Sequence, residues 1–67
     1  MDRYYVRCNA RTCVITPFDF KAKVRKEVSN WLSENKIYSW DIVQYKDKWC
    51  FEFKNEKDAN WFSIRWE

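Results

Sequence analysis

Apolar and polar positions alternate most cleanly over residues 48–54, where Trp49, Phe51 and Phe53 point one way and Cys50, Glu52 and Lys54 the other. A period of two predicts a strand with one face buried. Residues 39–45 precede it across Lys46-Asp47 and read as its partner: Trp40 and Ile42 alternate with Asp41, while Val43 and Tyr45 put apolar groups on the opposite face. Near the N-terminus, Tyr4-Tyr5-Val6-Arg7-Cys8 is rich in residues that favour strands and predicts a first one over 3–8, broken by Asn9-Ala10-Arg11. Residues 12–15 fit either the second arm of a short hairpin or an extended lead into a helix.

Two segments carry helix-start chemistry. Thr16 suits an N-cap, Pro17 the first helical position where its missing N–H does no harm, and Asp19 lies three residues after the cap. Phe20, Val24, Val28, Trp31 and Leu32 then recur at helical spacing, which predicts a helix ending near Asn35, with Asn35 as its left-handed residue. Asn55 repeats the capping logic, with Glu56 and Asp58 in the first turn to suit the dipole. The last helix would bury Ala59, Phe62 and Trp66 and leave Trp61 and Ile64 as a second apolar pair. In the alternative, Phe62, Ile64 and Trp66 alternate as a final strand; the cap favours the helix.

The order strand, helix, strand, strand, helix predicts a single α+β domain over 1–67. Its three-stranded sheet would run in the order 1-3-2 with both helices on one face, an incomplete ferredoxin-like arrangement that leaves the other face open.

Composition narrows the chemistry. Of 67 residues, 14 are Phe, Tyr or Trp, and each can bury roughly 150 to 250 Å², which offsets the small core expected of so short a chain. The chain has no His and no Gly. This removes histidine-based nucleophile activation, histidine metal ligands and the glycine loops that cradle phosphates. No carboxylates pair on one predicted buried face, so no catalytic residues, cofactor or metal are expected. Cys8, Cys13 and Cys50 match no zinc spacing. A Cys8–Cys13 disulfide would need an oxidising compartment. The first residues lack a signal-peptide run and no window is apolar enough to span a membrane, so the expectation is a cytoplasmic protein with reduced thiols.

Two partner classes follow. Five tryptophans cannot all be buried in so small a core, and exposed Trp, Tyr and Arg dominate interface hot spots. Trp61, Ile64 and Arg65 on the last helix, with Val43 and Tyr45 on the open sheet face, are therefore the candidate contacts for a protein partner or a second copy of the chain. The alternative is nucleic acid. Residues 1–33 hold seven Lys or Arg against three acids, a charge of +4, and residues 34–67 hold six against seven, a charge of −1. Arg7, Arg11, Lys21, Lys23, Arg25 and Lys26 could track phosphates beside Tyr5, Val43 and Tyr45. Against this, Lys21 to Lys26 also reads as a solvated helix face, and Glu52 would sit on the sheet surface that a phosphate must approach.

Phe51-Glu52-Phe53, Asp58-Ala59, Trp61-Phe62 and Arg65-Trp66 together resemble the C-terminal pattern of small proteins of tailed bacteriophages, over roughly the last 28 residues from Trp40 onward. The shared motifs are structural, and Cys8 to Thr16 lies outside them. The resemblance implies a phage origin and the cytoplasm of an infected bacterium as the setting, where short phage proteins act by binding host components.

Overall fold

The computed structural model describes residues 3–16 and 19–67, without the side chains of residues 15, 16 and 19–22. Its elements are β1 (Tyr4–Arg7), β2 (Cys13–Thr16), β3 (Asp19–Val24), α1 (Lys26–Glu34), β4 (Trp40–Tyr45), β5 (Lys48–Phe53) and α2 (Glu56–Trp66). The alternating strand β5 is the centre of a three-stranded antiparallel sheet of order β1-β5-β4, and β2 pairs with β3 in a separate antiparallel ribbon. The three strands read from the sequence thus take the expected 1-3-2 order in an α+β fold.

Register fixes the two sheet faces. Val6, Phe51 and Ile42 lie opposite one another across the three strands, as do Tyr4, Phe53 and Trp40, and all face the helices. Arg7, Cys50 and Val43, and likewise Tyr5, Glu52 and Asp41, share the outer face. Val28 and Leu32 of α1 and Ala59, Phe62 and Trp66 of α2 join Val6, Phe51 and Phe53 in one core, so both helices cover the same side of the sheet. The centre of that core is aromatic. Phe62 lies 4.5 Å from Phe51 and 5.2 Å from Phe53 between ring centroids, and all three are fully buried.

Lys46 and Asp47 join β4 to β5 with φ of 50° and 62°. A two-residue connection with both φ positive matches the right-handed twist of its strands, here without glycine.

The first predicted helix is half strand. Residues 19–24 form β3, paired Cys13 to Val24, Val14 to Lys23 and Thr16 to Asp19, and α1 starts only at Lys26. Phe20, Ala22 and Val24 alternate with Lys21 and Lys23. Phe20 and Val24 therefore satisfy both the strand and the helix period, and pairing with β2 decides between them. The N-cap is Arg25, in extended conformation and with no side-chain capping bond, instead of Thr16. Pro17, expected at the first helical position, lies outside the described residues together with Phe18. Residues 12–15 are neither the second arm of a hairpin with the first strand nor a lead into the helix: β2 is the first arm of a ribbon with β3, while β1 pairs with β5.

Helix α1 does stop at Asn35, but by another residue's geometry. Asn35 has φ −93°, and the left-handed residue is Lys36 at φ 58°. Ile37 N–H donates to Leu32 O at 2.9 Å and Lys36 N–H to Ser33 O at 3.0 Å. This bond pair satisfies the last carbonyls of the helix, and the buried Ile37 seals it. Helix α2 follows its sequence signals closely: Asn55 Oδ1 accepts from Lys57 N–H at 2.8 Å. The segment 56–66 is helical, which disposes of the final-strand alternative.

Candidate functional site

Burial of Ala59, Phe62 and Trp66 fixes the rotation of α2. At 3.6 residues per turn, Lys57, Trp61, Ile64 and Arg65 are then carried to the side away from the core. Trp61 is 53% exposed and Ile64 77%. A solvated tryptophan normally samples several rotamers, but Trp61 is held at two points. Its Nε1–H donates to Asn35 Oδ1 at 3.2 Å, and its ring lies 6.3 Å from that of Trp31 at an interplanar angle of 28°.

Trp31 links this surface to the core. It meets Phe62 edge-on at 6.1 Å and Trp66 at 6.2 Å with the rings perpendicular. Trp61 is thus the outermost member of an aromatic series that ends at Phe51 and Phe53. Beside it, Asn35, Ile37, Lys57, Asp58 and Trp61 line an open cavity of about 280 Å³. Arg65 is exposed on the same side of α2, with its guanidinium 4.2 Å from the Trp66 ring. That contact covers the Trp66 indole, whose Nε1 is buried without a hydrogen-bond partner among the described residues. Tyr38, just after α1, adds a further exposed aromatic at 69%.

Val43 and Tyr45 are on a different surface. Both belong to the outer face of the sheet, which the helices do not cover, so the five candidate contacts fall into two groups on opposite sides of the domain. The outer face is not an open aromatic platform. Tyr45 stacks on Tyr5 at 4.0 Å with the rings 4° from parallel. These residues sit on the two outer strands, level with Lys48 and Glu52 of β5, and the diagonal between them crosses Cys50. The pair closes over that thiol, which is 6% exposed. Burial pushes the Cys50 thiol up from its ordinary pKa, with Arg7 beside it pulling in the opposite direction. The Tyr5 phenol is also raised, first by desolvation and then by the Glu52 carboxylate next to it. With Lys46 Nζ 5.3 Å from the Tyr45 ring, both aromatic groups on this face already have partners.

The basic residues are dispersed. Arg7 lies on the outer sheet face opposite Cys50. Lys21 and Lys23 fall on β3 and Lys26 on α1, so the expected continuous helix face from Lys21 to Lys26 does not exist. The Lys21 side chain lies outside the described part. Arg11 and Arg25 share the end of the domain around the Asn9–Thr12 turn, where Arg25 Nε–H donates to Ala10 O at 2.9 Å.

Asn35 as the bracket of Trp61 has no signal in the sequence, because an exposed amide after a helix has no pattern of its own. Nor did spacing point to the Tyr5–Tyr45 stack, since the two lie on strands that are not hydrogen-bonded neighbours. No protein-family model matches the chain, and no match was found among curated proteins or solved structures.

Proposed function

We propose that this chain is a small non-catalytic binding module that engages a protein partner through the outer side of α2, with Trp61 and Ile64 as apolar anchors and Arg65 beside them. The observation that carries this reading is the exposed but immobilised Trp61, 53% accessible while hydrogen-bonded to Asn35 and packed on Trp31. An aromatic side chain ordered before binding loses little rotamer entropy on docking, which is what an interface anchor requires. Ile64 extends the apolar surface by one turn, and Lys57 and Arg65 flank it with positive charge. The matching partner surface is an apolar pocket with a carboxylate-bearing rim.

On the resemblance of residues 40–67 to small proteins of tailed bacteriophages, the proposal extends to a phage-encoded protein acting on a host or phage protein in the cytoplasm of an infected bacterium. Val43 and Tyr45 enter the proposal only as a secondary contact, because they face the other way.

The test is capture of partners by a tagged copy from a bacterial lysate, with and without nuclease. A single protein recovered in near-equal amount under both conditions, and lost with Trp61→Ala, supports the proposal. Recovery of nucleic acid, or of proteins that vanish on digestion, overturns it and directs mutagenesis to Arg7, Arg11, Lys21, Lys23, Arg25 and Lys26. Capture of a second copy of the chain alone identifies a homodimer instead.

A further inference from the structure

Cys8 and Cys13 flank a turn that is tied from both ends. Thr12 N–H and Cys13 N–H each donate to Asn9 O at 3.0 Å, Asn9 N–H donates to Thr12 Oγ1 at 3.0 Å, and Arg11 N–H donates to Asn9 Oδ1 at 2.8 Å. Cys8 extends β1 through its N–H bond to Trp49 O at 2.9 Å, and Cys13 opens β2. The turn returns the chain on itself and brings the two thiols close enough that each is the first influence on the other's ionisation. Both thiols belong to the core, at 7% and 2% exposure. Cys50 is on the opposite sheet face and adds only the last of the influences that raise Cys8.

A cavity of about 280 Å³ reaches Cys13 from outside, lined by Asn9, Ala10, Cys13, Val14 and Arg25. Arg25 is fixed at its wall, with backbone N–H on Thr12 O at 2.8 Å and Nε–H on Ala10 O at 2.9 Å. Cys8 also lines a cavity, of about 390 Å³, with Arg7, Asn9 and Glu67, so the two sulfurs differ in their charged and polar neighbours rather than in access. The neighbouring Cys8 first, with help from the Thr12 side chain and the Arg25 charge, lowers Cys13 to about 7 against the opposing effect of burial. Cys8 is pushed up, first by the adjoining Cys13 and then by burial.

We propose that Cys8 and Cys13 form a redox-active dithiol that reacts with small, carboxylate-bearing disulfides through the Arg25-lined cavity, with Cys13 attacking and Cys8 resolving. The Cys13 thiolate attacks one sulfur of the disulfide, forming a mixed disulfide and expelling one thiolate. Cys8 then gives up its proton and attacks Cys13 Sγ. The Cys8–Cys13 bond forms, the mixed disulfide breaks and a second thiolate leaves. Two protein thiols are oxidised, the small disulfide is reduced to two thiols, and the two protons lost by the protein are taken up by the two leaving thiolates. The disulfide is the oxidant, and the reaction is stoichiometric.

The test is to treat the reduced, folded chain with glutathione disulfide and follow it by intact mass and peptide mapping. The expected product is lighter by two hydrogens, with Cys8 joined to Cys13 and Cys50 unmodified. Cys8→Ala should stop at a stable glutathione adduct on Cys13, and Cys13→Ala should give neither product. Arg25→Gln should slow the first step roughly three- to tenfold through its loss of thiolate stabilisation. The wild-type map stands even if a variant fails to fold. An adduct on Cys50, or thiols that react only after the chain is unfolded in urea, would overturn the proposal.

Discussion

The indole N–H of Trp61 donates to Asn35 Oδ1 at 3.2 Å, and the Asn35 amide donates in turn to the Trp31 carbonyl at 2.8 Å. One side chain at the end of α1 therefore fixes the most exposed tryptophan of α2 relative to the core. Asn35→Ala removes both bonds while leaving the helix backbone intact. Because the site is exposed, the expected loss of stability is only about 0.5 to 1.5 kcal/mol, measured by urea unfolding. The local effect should be larger, with Trp61 fluorescence becoming more accessible to a soluble quencher. Unchanged quenching would mean that packing on Trp31 alone holds the ring.

Lys36 carries the positive φ that closes α1, a conformation that costs a residue with a Cβ about 1 kcal/mol relative to glycine. Lys36→Gly should therefore stabilise the domain by up to about 1 kcal/mol, raising the melting temperature by several degrees. Destabilisation would show that the Lys36 side chain contributes more than its backbone strain costs.

The Tyr5–Tyr45 pair covers Cys50. Tyr45→Ala removes half of the cover at an expected cost of about 0.5 to 1.5 kcal/mol beyond the area lost. Cys50 should then become reactive toward iodoacetamide in the folded state, as read by peptide mapping. If Cys50 stays protected, its burial comes from β1 and β4 alone.

The dithiol gives the reduced protein a pH signature. Cys13 is lowered from 9.0 to about 7, so the folded state binds this proton less tightly than the unfolded chain. Its contribution to stability is absent below about pH 7, grows between 7 and 9, and is complete above 9. Cys8 is raised, and its contribution is full below pH 9 and is lost as the unfolded chain ionises above it. Urea midpoints of the reduced chain should rise from pH 7 to 9 and then fall, and Cys13→Ala should abolish the rise. A wild-type midpoint that falls steadily from pH 7 would contradict the assignment of the anion to Cys13.

Sequence pattern sufficed where one period had no rival. Trp49, Phe51 and Phe53 have no helical reading, and Asn55 with its acidic first turn has no strand reading, so β5, its partner β4 and the start of α2 were all legible. The outward position of Trp61 and Ile64 is legible only on the helix reading, because a final strand would put Ile64 on one face with Phe62 and Trp66. Residues 19–24 differ because Phe20 and Val24 fit both periods and the capping pattern at Thr16 favours a helix. What decides there is long-range pairing with β2, which no local window contains. The remaining features depend on tertiary approach: Asn35 under Trp61, Tyr5 on Tyr45, and Cys8 against Cys13. They join residues whose separation in sequence carries no periodic signal.

Whether Trp61 and Ile64 anchor a protein partner is decided by paired capture from nuclease-treated lysate. Three tagged chains would be compared after circular dichroism has shown that each is folded: the wild type, Trp61→Ala/Ile64→Ala, and Arg11→Gln/Lys26→Gln. The expected result is one protein recovered equally by the wild type and the charge variant, and reduced at least about tenfold with the double alanine variant. Undiminished capture by the double alanine variant, or loss confined to the charge variant, would show that the outer side of α2 is not the docking surface.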